Sequence, residues 1–171
     1  MTLDRAPAQL APVQLASALA ALAAGAALAG AYIAEHGFGL RPCELCYWQR
    51  YGHWAALGLA LVGLAVAGRA RKPLALLAGL GLVASGVVAG FHVGVEEGWW
   101  QGTAACGGGA LDFSRSAEDL TAQLLNEPPV RCDEPAWTLF GVSMAGYNLV
   151  YSLGAGLLVW ALALRSGAPS R

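Results

Sequence analysis

Four long apolar stretches constrain the fold of this chain more than any other feature. They cover residues 13–34, 47–68, 73–95 and 144–164, which makes them 22, 22, 23 and 21 residues long. At about 1.5 Å per residue, a helix of that length spans about 30 Å, the thickness of the hydrocarbon core of a bilayer. Only 12% of the 171 residues are charged, against about 25% in soluble domains. The sequence therefore predicts an all-α membrane protein, a single bundle of four transmembrane helices.

The first apolar stretch also permits another interpretation, a cleaved signal peptide. Arg5 precedes the stretch, and Ala27-Leu28-Ala29 is similar to a cleavage site. The stretch is nevertheless longer than a signal-peptide core of about 7–15 residues, and no polar region leads to a cleavage site. We therefore expect it to remain in the protein as the first span.

Charged residues divide unevenly between the two ends of the predicted spans. The N-terminus, residues 68–72 and the C-terminus hold six basic residues and one acidic residue, a net charge of +5. The opposite side holds four basic and ten acidic residues, a net charge of −6. An excess of Lys and Arg marks the cytoplasmic side. Both termini are therefore predicted inside, with outer loops at about 35–46 and 96–143, and no basic patch suggests nucleic acid.

All four cysteines lie in the predicted outer loops, where disulfides are stable. Cys43 and Cys46 form a C-x-x-C pair, a motif with easily exchanged disulfides and lowered thiol pKa values. Cys46 precedes the second span, and the dipole of a helix N-terminus favours a thiolate. A four-cysteine zinc site is an alternative, but 25 residues separate Cys106 from Cys132, so we expect no metal. Two purely structural disulfides are another alternative.

Three ionisable residues inside the predicted spans are candidate cofactor contacts. Arg50 follows Cys46 by four residues, on the same helical face, and His53 and His92 lie in the second and third spans. Charged groups inside a membrane are costly and usually functional. Arg50 alternatively snorkels to the interface, and a lone histidine is more often a packing residue.

Two further patterns predict local structure. Small residues at helical spacing in the third span indicate close helix packing: Gly81, Ser85, Gly86, Gly90 and Gly94. In the second outer loop, residues 116–125 predict a short helix that lies on the membrane surface or packs against the spans. Three glycines at 107–109 predict a mobile segment directly after Cys106.

Two motifs make the chain resemble the disulfide bond formation protein B (DsbB) family. They are P-C-E-L-C-Y-W-Q-R at residues 42–50 and W-T-L-F-G-V-S-M at residues 137–144, and the resemblance covers nearly the whole chain. It implies an enzyme of the bacterial inner membrane with both termini cytoplasmic and the cysteine loops periplasmic. It implies that a reduced DsbA-like thioredoxin-fold oxidase attacks a Cys106–Cys132 disulfide, at Cys106. Electrons then pass through Cys43 and Cys46 to a quinone, ubiquinone or menaquinone, held near Arg50.

The resemblance leaves several points open. Four cysteines allow three connectivities; the local C-x-x-C geometry and the shared second loop favour Cys43–Cys46 and Cys106–Cys132. The family also uses a group near the outer end of span three, for which His92, Glu96 and Glu97 are candidates. A vitamin K epoxide reductase-like quinone reductase is one alternative, although its C-x-x-C normally follows the other cysteine pair. A non-enzymatic four-span scaffold with structural disulfides is another.

Overall fold

The computed structural model describes residues 6–107, 116, 121 and 130–165. Its α-helices are α1 (Ala6–Phe38), α2 (Glu44–Ala65), α3 (Arg71–Glu96) and α4 (Met144–Arg165). The other described elements are the 3-10 helices Gly68–Ala70 and Ala104–Gly107 and an antiparallel hairpin, β1 (Thr138–Leu139) and β2 (Val142–Ser143). Of the short helix predicted at 116–125, all but residues 116 and 121 lie outside the described part of the chain.

Three of the four α-helices lie in segments that are long and apolar enough to cross a membrane. These segments are Pro12–Phe38, Gly68–Glu96 and Met144–Arg165, with mean hydropathies of 1.7, 2.2 and 1.6. Helix α2 has 22 residues, but Gln49, Arg50 and His53 make its first half more polar. The described part of the chain thus has three candidate spans and a fourth helix, where the sequence predicted four spans.

The α-helices form a bundle in which α1 and α3 each pack against both α2 and α4. Small side chains dominate its centre, and nine alanines of the described chain are completely buried: Ala16, Ala20, Ala24, Ala56, Ala60, Ala75, Ala78, Ala89 and Ala163. Small residues let helix backbones approach closely, and this packing is what holds helices together in lipid. A hydrogen bond also joins α4 to α1, because the Tyr151 hydroxyl donates to the Ala23 carbonyl at 3.0 Å.

The glycines of α3 confirm most of the predicted close packing. A Cβ built on Gly81 would lie 3.0 Å from backbone atoms of α2, and one built on Gly86 would lie 2.8 Å from Leu153 of α4. Gly94 differs, because the indole of Trp100, from the loop after α3, covers it. Its missing side chain makes room for that ring rather than for another helix.

A capped turn at the end of α3 directs the chain into the second cysteine loop. Gly98 adopts φ +70°, in the left-handed region that favours glycine. Its N–H bonds to the Val95 carbonyl at 3.2 Å, and the Trp99 N–H bonds to the Gly94 carbonyl at 2.8 Å. This pair of bonds is a Schellman motif. The following 3-10 helix then contacts α2.

Candidate redox site

The four cysteines meet at one end of the bundle in a single buried cluster. Cys106 and Cys132 form a disulfide with a Cα–Cα distance of 4.9 Å, which confirms that predicted pair. Cys43 and Cys46 are adjacent, as predicted, but they are free thiols with sulfurs 3.0 Å apart. The disulfide expected between them is therefore not formed here, where a thiol–thiol hydrogen bond takes its place. One pair is oxidised and the other is reduced.

The start of α2 makes the two free thiols unequal. Cys43 is the N-cap, and its sulfur accepts the backbone N–H of Cys46 at 3.4 Å. The hydrogen bond from Cys43 lowers the pKa of Cys46, and the positive charge of Arg50 lowers it further. The same hydrogen bond, together with burial, raises the pKa of Cys43. Cys46 is therefore the sulfur of the pair that loses its proton more readily.

Arg50 lies one turn beyond Cys46, and its guanidinium is anchored on α1. It forms an ion pair with Glu35 and donates to the Ala31 carbonyl at 3.3 Å. The ring of Tyr32 lies 4.9 Å from the guanidinium carbon, within the range of a cation–π contact. Only 8% of Arg50 is exposed. Arg50 is therefore held inside the bundle by α1, and its role as a cofactor contact, like the snorkelling alternative, stays a prediction.

Glu35 is a residue of this site that the sequence reasoning missed. The first apolar stretch ends at residue 34, which placed Glu35 in a loop, whereas α1 continues to Phe38. The extra turn carries the carboxylate to Arg50. A signal was present, because a buried arginine needs an acidic partner and Glu35 is one of the two acids in the predicted first outer loop.

His92 of α3 bridges the two cysteine pairs. Its Nε2 lies 3.2 Å from the backbone carbonyl oxygen of Cys132 and 3.6 Å from the sulfur of Cys43. A carboxylate oxygen of Glu96 lies 3.8 Å from the same nitrogen. The other ring nitrogen, Nδ1, lies 3.0 Å from the side-chain nitrogen of Gln49. His92 thus contacts the cysteine loops directly.

His53 lies deeper in the bundle, in a network of polar side chains. Its Nε2 lies 3.0 Å from Oδ1 of Asn148, which in turn donates through Nδ2 to Oε1 of Gln49 at 2.8 Å. Nδ1 of His53 is buried without a hydrogen-bond partner among the described residues. The sequence reasoning missed Gln49 and Asn148. Their amides within long apolar stretches were the available signal, because polar groups inside a membrane need partners.

A cavity of about 440 Å³ opens beside the free cysteine pair. Its wall is mostly apolar and includes residues of α1 and α4, and the predicted site residues that line it are Cys43, Cys46, Arg50, His53 and His92. Of the other candidates at the end of span three, Glu96 borders the cavity and Glu97 does not. An apolar cavity of this size with a few converging polar groups is typical of a small-molecule site.

The Cys106–Cys132 disulfide is more enclosed than the resemblance implied. Cys106 is 3% exposed, and its sulfur accepts the Thr103 hydroxyl at 3.3 Å. Its carbonyl accepts the N–H of Cys132 at 3.1 Å. These bonds fix the turn around Cys106 and leave its sulfur buried among the described residues. Of the three glycines predicted to make the segment mobile, residues 108 and 109 lie outside the described residues.

The donor atoms of Cys43, Cys46 and His92 lie within 4.8 Å of one another, which is close enough for a shared metal ion. A metal would need Nε2 of His92 without its proton, yet that nitrogen lies against the acceptor carbonyl of Cys132. Cys106 and Cys132 are joined to each other, which rules out the four-cysteine zinc site in this state. The cluster is therefore arranged for hydrogen bonding, and the absence of a metal stays a prediction.

Comparison with known proteins gives one consistent result. The family model described as "Disulfide bond formation protein DsbB" matches residues 13–162. Proteins named "Disulfide bond formation protein B" from Acinetobacter baumannii and Acinetobacter baylyi are 32% and 33% identical, over 70% and 77% of this chain and 72% and 80% of theirs. An uncharacterised protein of Rickettsia prowazekii is 28% identical over 71% of each chain. No solved structure matches the chain.

Proposed function

We propose a function from the premise that this chain belongs to the disulfide bond formation protein DsbB family, as the match over residues 13–162 shows. The chain is accordingly a multi-pass membrane protein of disulfide bond formation. We propose that it reoxidises a periplasmic DsbA-like thioredoxin-fold dithiol oxidase and passes the electrons to a membrane quinone. The observation that carries this proposal is the position of the free Cys43–Cys46 pair, which touches both the cluster of the Cys106–Cys132 disulfide and the apolar cavity.

The cavity has the chemistry that a quinone head group requires. A quinone is an apolar ring with two carbonyl oxygens that accept hydrogen bonds, and ubiquinone and menaquinone share these features. Arg50 has five N–H groups, and two of its nitrogens serve Glu35 and Ala31, so further N–H groups remain for a ligand. His53 also lines the cavity. When bound, a quinone supplies an acceptor for two electrons and two protons.

The first step of the relay takes place at the buried disulfide. A thiolate of the reduced partner attacks the sulfur of Cys106, which forms a mixed disulfide and releases Cys132 as a thiolate. The second thiol of the partner then attacks its own mixed disulfide and releases Cys106. The partner leaves with its disulfide restored, and the second cysteine pair has gained two electrons.

The second step passes those electrons to the pair at the start of α2. The Cys132 thiolate attacks Cys43 of an oxidised Cys43–Cys46 pair, and Cys46 leaves. This direction follows from the pKa order, because the thiol of lower pKa is the better leaving group. Cys106 then attacks Cys132, which restores their disulfide and frees Cys43. The product has the second pair oxidised and the first reduced, the same combination as in this structure.

In the third step, the Cys43–Cys46 pair is reoxidised and its electrons pass to an acceptor in the cavity. Cys46 carries the thiolate at the cavity edge, and Cys43 beside it supplies the second sulfur. Two electrons and the proton of Cys43 leave as the Cys43–Cys46 disulfide forms, and the second proton comes from solvent. Arg50 stabilises the thiolate and any negative charge that grows nearby during transfer. The apolar walls keep other thiols away.

The same proposal includes the orientation in the membrane. We take α2 as a fourth span, supported by its apolar second half and by its packing against α1 and α3. Both termini then lie in the cytoplasm and the cysteine loops in the periplasm of a bacterial inner membrane. The charge difference of +5 against −6 supports this orientation.

Quinone reduction by the purified full-length chain tests the proposed function. In detergent, with a reduced thioredoxin-fold dithiol protein as donor, the wild type should reduce quinone over many turnovers. Cys46→Ser should abolish turnover while leaving the protein folded. A scaffold with structural disulfides would give no quinone reduction by the wild type, and that result would refute the proposal.

A further inference from the structure

The side-chain amide of Gln49 is buried among three helices, and its neighbours fix its orientation. Its nitrogen lies 3.1 Å from the backbone carbonyl oxygen of Leu45, which only accepts hydrogen bonds. The reversed amide would bring two oxygens together at that distance. The nitrogen therefore stays on this side, and its second N–H faces Nδ1 of His92 at 3.0 Å.

Asn148 of α4 locks the Gln49 amide from the other side. Its Nδ2 donates to the side-chain oxygen of Gln49 at 2.8 Å and to the hydroxyl of Ser85 at 3.2 Å. Its Oδ1 accepts from the Ser152 hydroxyl at 2.6 Å and lies 3.0 Å from Nε2 of His53. Turning the Asn148 amide over would set its oxygen against that of Gln49. The two amides therefore form one unit with a single direction of donation.

That direction decides which nitrogen of His92 carries the proton. A neutral imidazole has one N–H and one bare nitrogen. Nδ1 faces the N–H of Gln49, so Nδ1 is bare and the proton lies on Nε2. Three acceptors surround Nε2: the carbonyl of Cys132, the sulfur of Cys43 and the carboxylate of Glu96. The hydrogen bonds therefore all donate in one direction, from Asn148 to Gln49, from Gln49 to His92, and from His92 to the Cys132 carbonyl.

We propose that Gln49 is a positioning residue for the exchange between the two cysteine pairs. By keeping the proton of His92 on Nε2, it gives the Cys132 carbonyl a hydrogen bond to α3. That bond holds Cys132 against Cys43, the sulfur that the proposed relay attacks. If the proton moves to Nδ1 when the N–H of Gln49 is absent, Nε2 is bare where it faces the Cys132 carbonyl. The segment around Cys132 then loses its hydrogen bond to α3. This inference rests on the proposed function.

Nitrogen NMR of the histidine rings tests the first half of the proposal without any quinone. In the full-length chain labelled with ¹⁵N-histidine, the ring signals of His92 are assigned by their loss in His92→Gln. The wild type should show a protonated Nε2 and a bare Nδ1. In Gln49→Glu a carboxylate replaces the N–H donor, so the proton should move to Nδ1. A wild-type His92 with its proton on Nδ1 would overturn the inference.

The equilibrium between Cys43 and Cys132 tests the second half. The double variant Cys46→Ser/Cys106→Ser retains only these two cysteines, and one glutathione disulfide converts them to a disulfide while two glutathione thiols are released. Adding Gln49→Glu should lower the equilibrium constant roughly five- to ten-fold, the effect of about one hydrogen bond. Gln49→Met removes the donor without adding a buried charge, and since the three acceptors around Nε2 remain, it should lower the constant less than Gln49→Glu. Gln14→Glu, at an exposed position on α1, should leave the constant unchanged.

The two outcomes separate this inference from the proposed function. Equal equilibrium constants in the parent and both Gln49 variants would overturn the positioning role, whatever the enzyme does with quinone. A wild type that shows the expected tautomer and equilibrium but reduces no quinone would refute the proposed function alone.

Discussion

At the sulfur of Cys46, three stabilising influences meet within one turn of helix. The thiol of Cys43 donates to it, Cys46 lies in the first turn of α2, where the helix dipole favours negative charge, and Arg50 follows one turn later. Arg50 is shared, however, because Glu35 already forms an ion pair with it. Glu35 of α1 thus partly neutralises the positive charge that Arg50 offers to a thiolate at Cys46.

Two substitutions should therefore move the reactivity of Cys46 in opposite directions. Arg50→Ala removes a charge that lowers the pKa of Cys46, so alkylation at neutral pH should slow several-fold and its rise with pH should shift upward. Glu35→Gln leaves the charge of Arg50 unneutralised, so the pH at which alkylation of Cys46 accelerates should shift downward. Mass spectrometry of Cys46 alkylation against pH measures both, with the exposed Arg69→Ala as a control.

Arg50 should also separate quinone use from thiol exchange. Arg50→Ala should weaken quinone reduction and leave exchange at Cys106–Cys132 largely intact, and Arg50→Lys should be partly tolerated because it keeps the charge and loses the planar fork. Unchanged quinone kinetics in Arg50→Ala would mean that the arginine has only a structural role.

At the scale of helices, the apolar pattern predicted all four α-helices but not their polar ends. Hydropathy registers the apolar part of a helix, so the last turn of α1, and with it Glu35, was assigned to a loop. The sequence did predict the Cys106–Cys132 disulfide and the adjacency of Cys43 and Cys46. It also singled out Arg50, because C-x-x-C and a charge within an apolar stretch are local signals. The Gln49–Asn148 contact joins residues 99 positions apart. It depends on how α2 and α4 are rotated, which one sequence does not reveal.

Close packing of α2 against α3 predicts a sharp difference between two glycines of the same helix. A Cβ on Gly52 would lie 2.9 Å from the backbone oxygen of Gly81, whereas one on Gly58 would meet nothing within 4 Å. Gly52→Ala should therefore destabilise the bundle by about 1–3 kcal/mol, because overpacking pushes backbones apart. Gly58→Ala should be neutral or stabilising. Thermal unfolding in detergent compares them, and equal effects would contradict this packing.

At the scale of the whole molecule, the cysteines, the cavity and the described acidic residues near them, such as Glu35, Glu96 and Glu134, lie at one end of the bundle. The opposite end holds the short connection around Gly68–Ala70, in a basic part of the sequence. This polarity matches a protein that receives electrons from one compartment and delivers them sideways into the membrane. It makes the sidedness of the two ends a necessary part of the proposal.

Reporter fusions test that sidedness. Fusions after Lys72 and after Arg171 should report cytoplasm, and fusions within residues 107–126 should report periplasm, because the basic connections stay inside. A periplasmic signal at Lys72 would reverse the orientation and remove the cysteines from the compartment of their proposed partner.

Photoaffinity labelling tests the central claim, that a quinone binds in the cavity beside Cys46. The purified full-length chain is irradiated with an azido-quinone, and labelled peptides are mapped by mass spectrometry with and without excess unmodified quinone. We predict competed labelling on the cavity faces of α1 and α4, at residues such as Ala27, Ala31, Met144 and Asn148. Competed labelling confined to lipid-facing positions such as Leu22 and Val150, which are exposed on the bundle surface, would contradict the account.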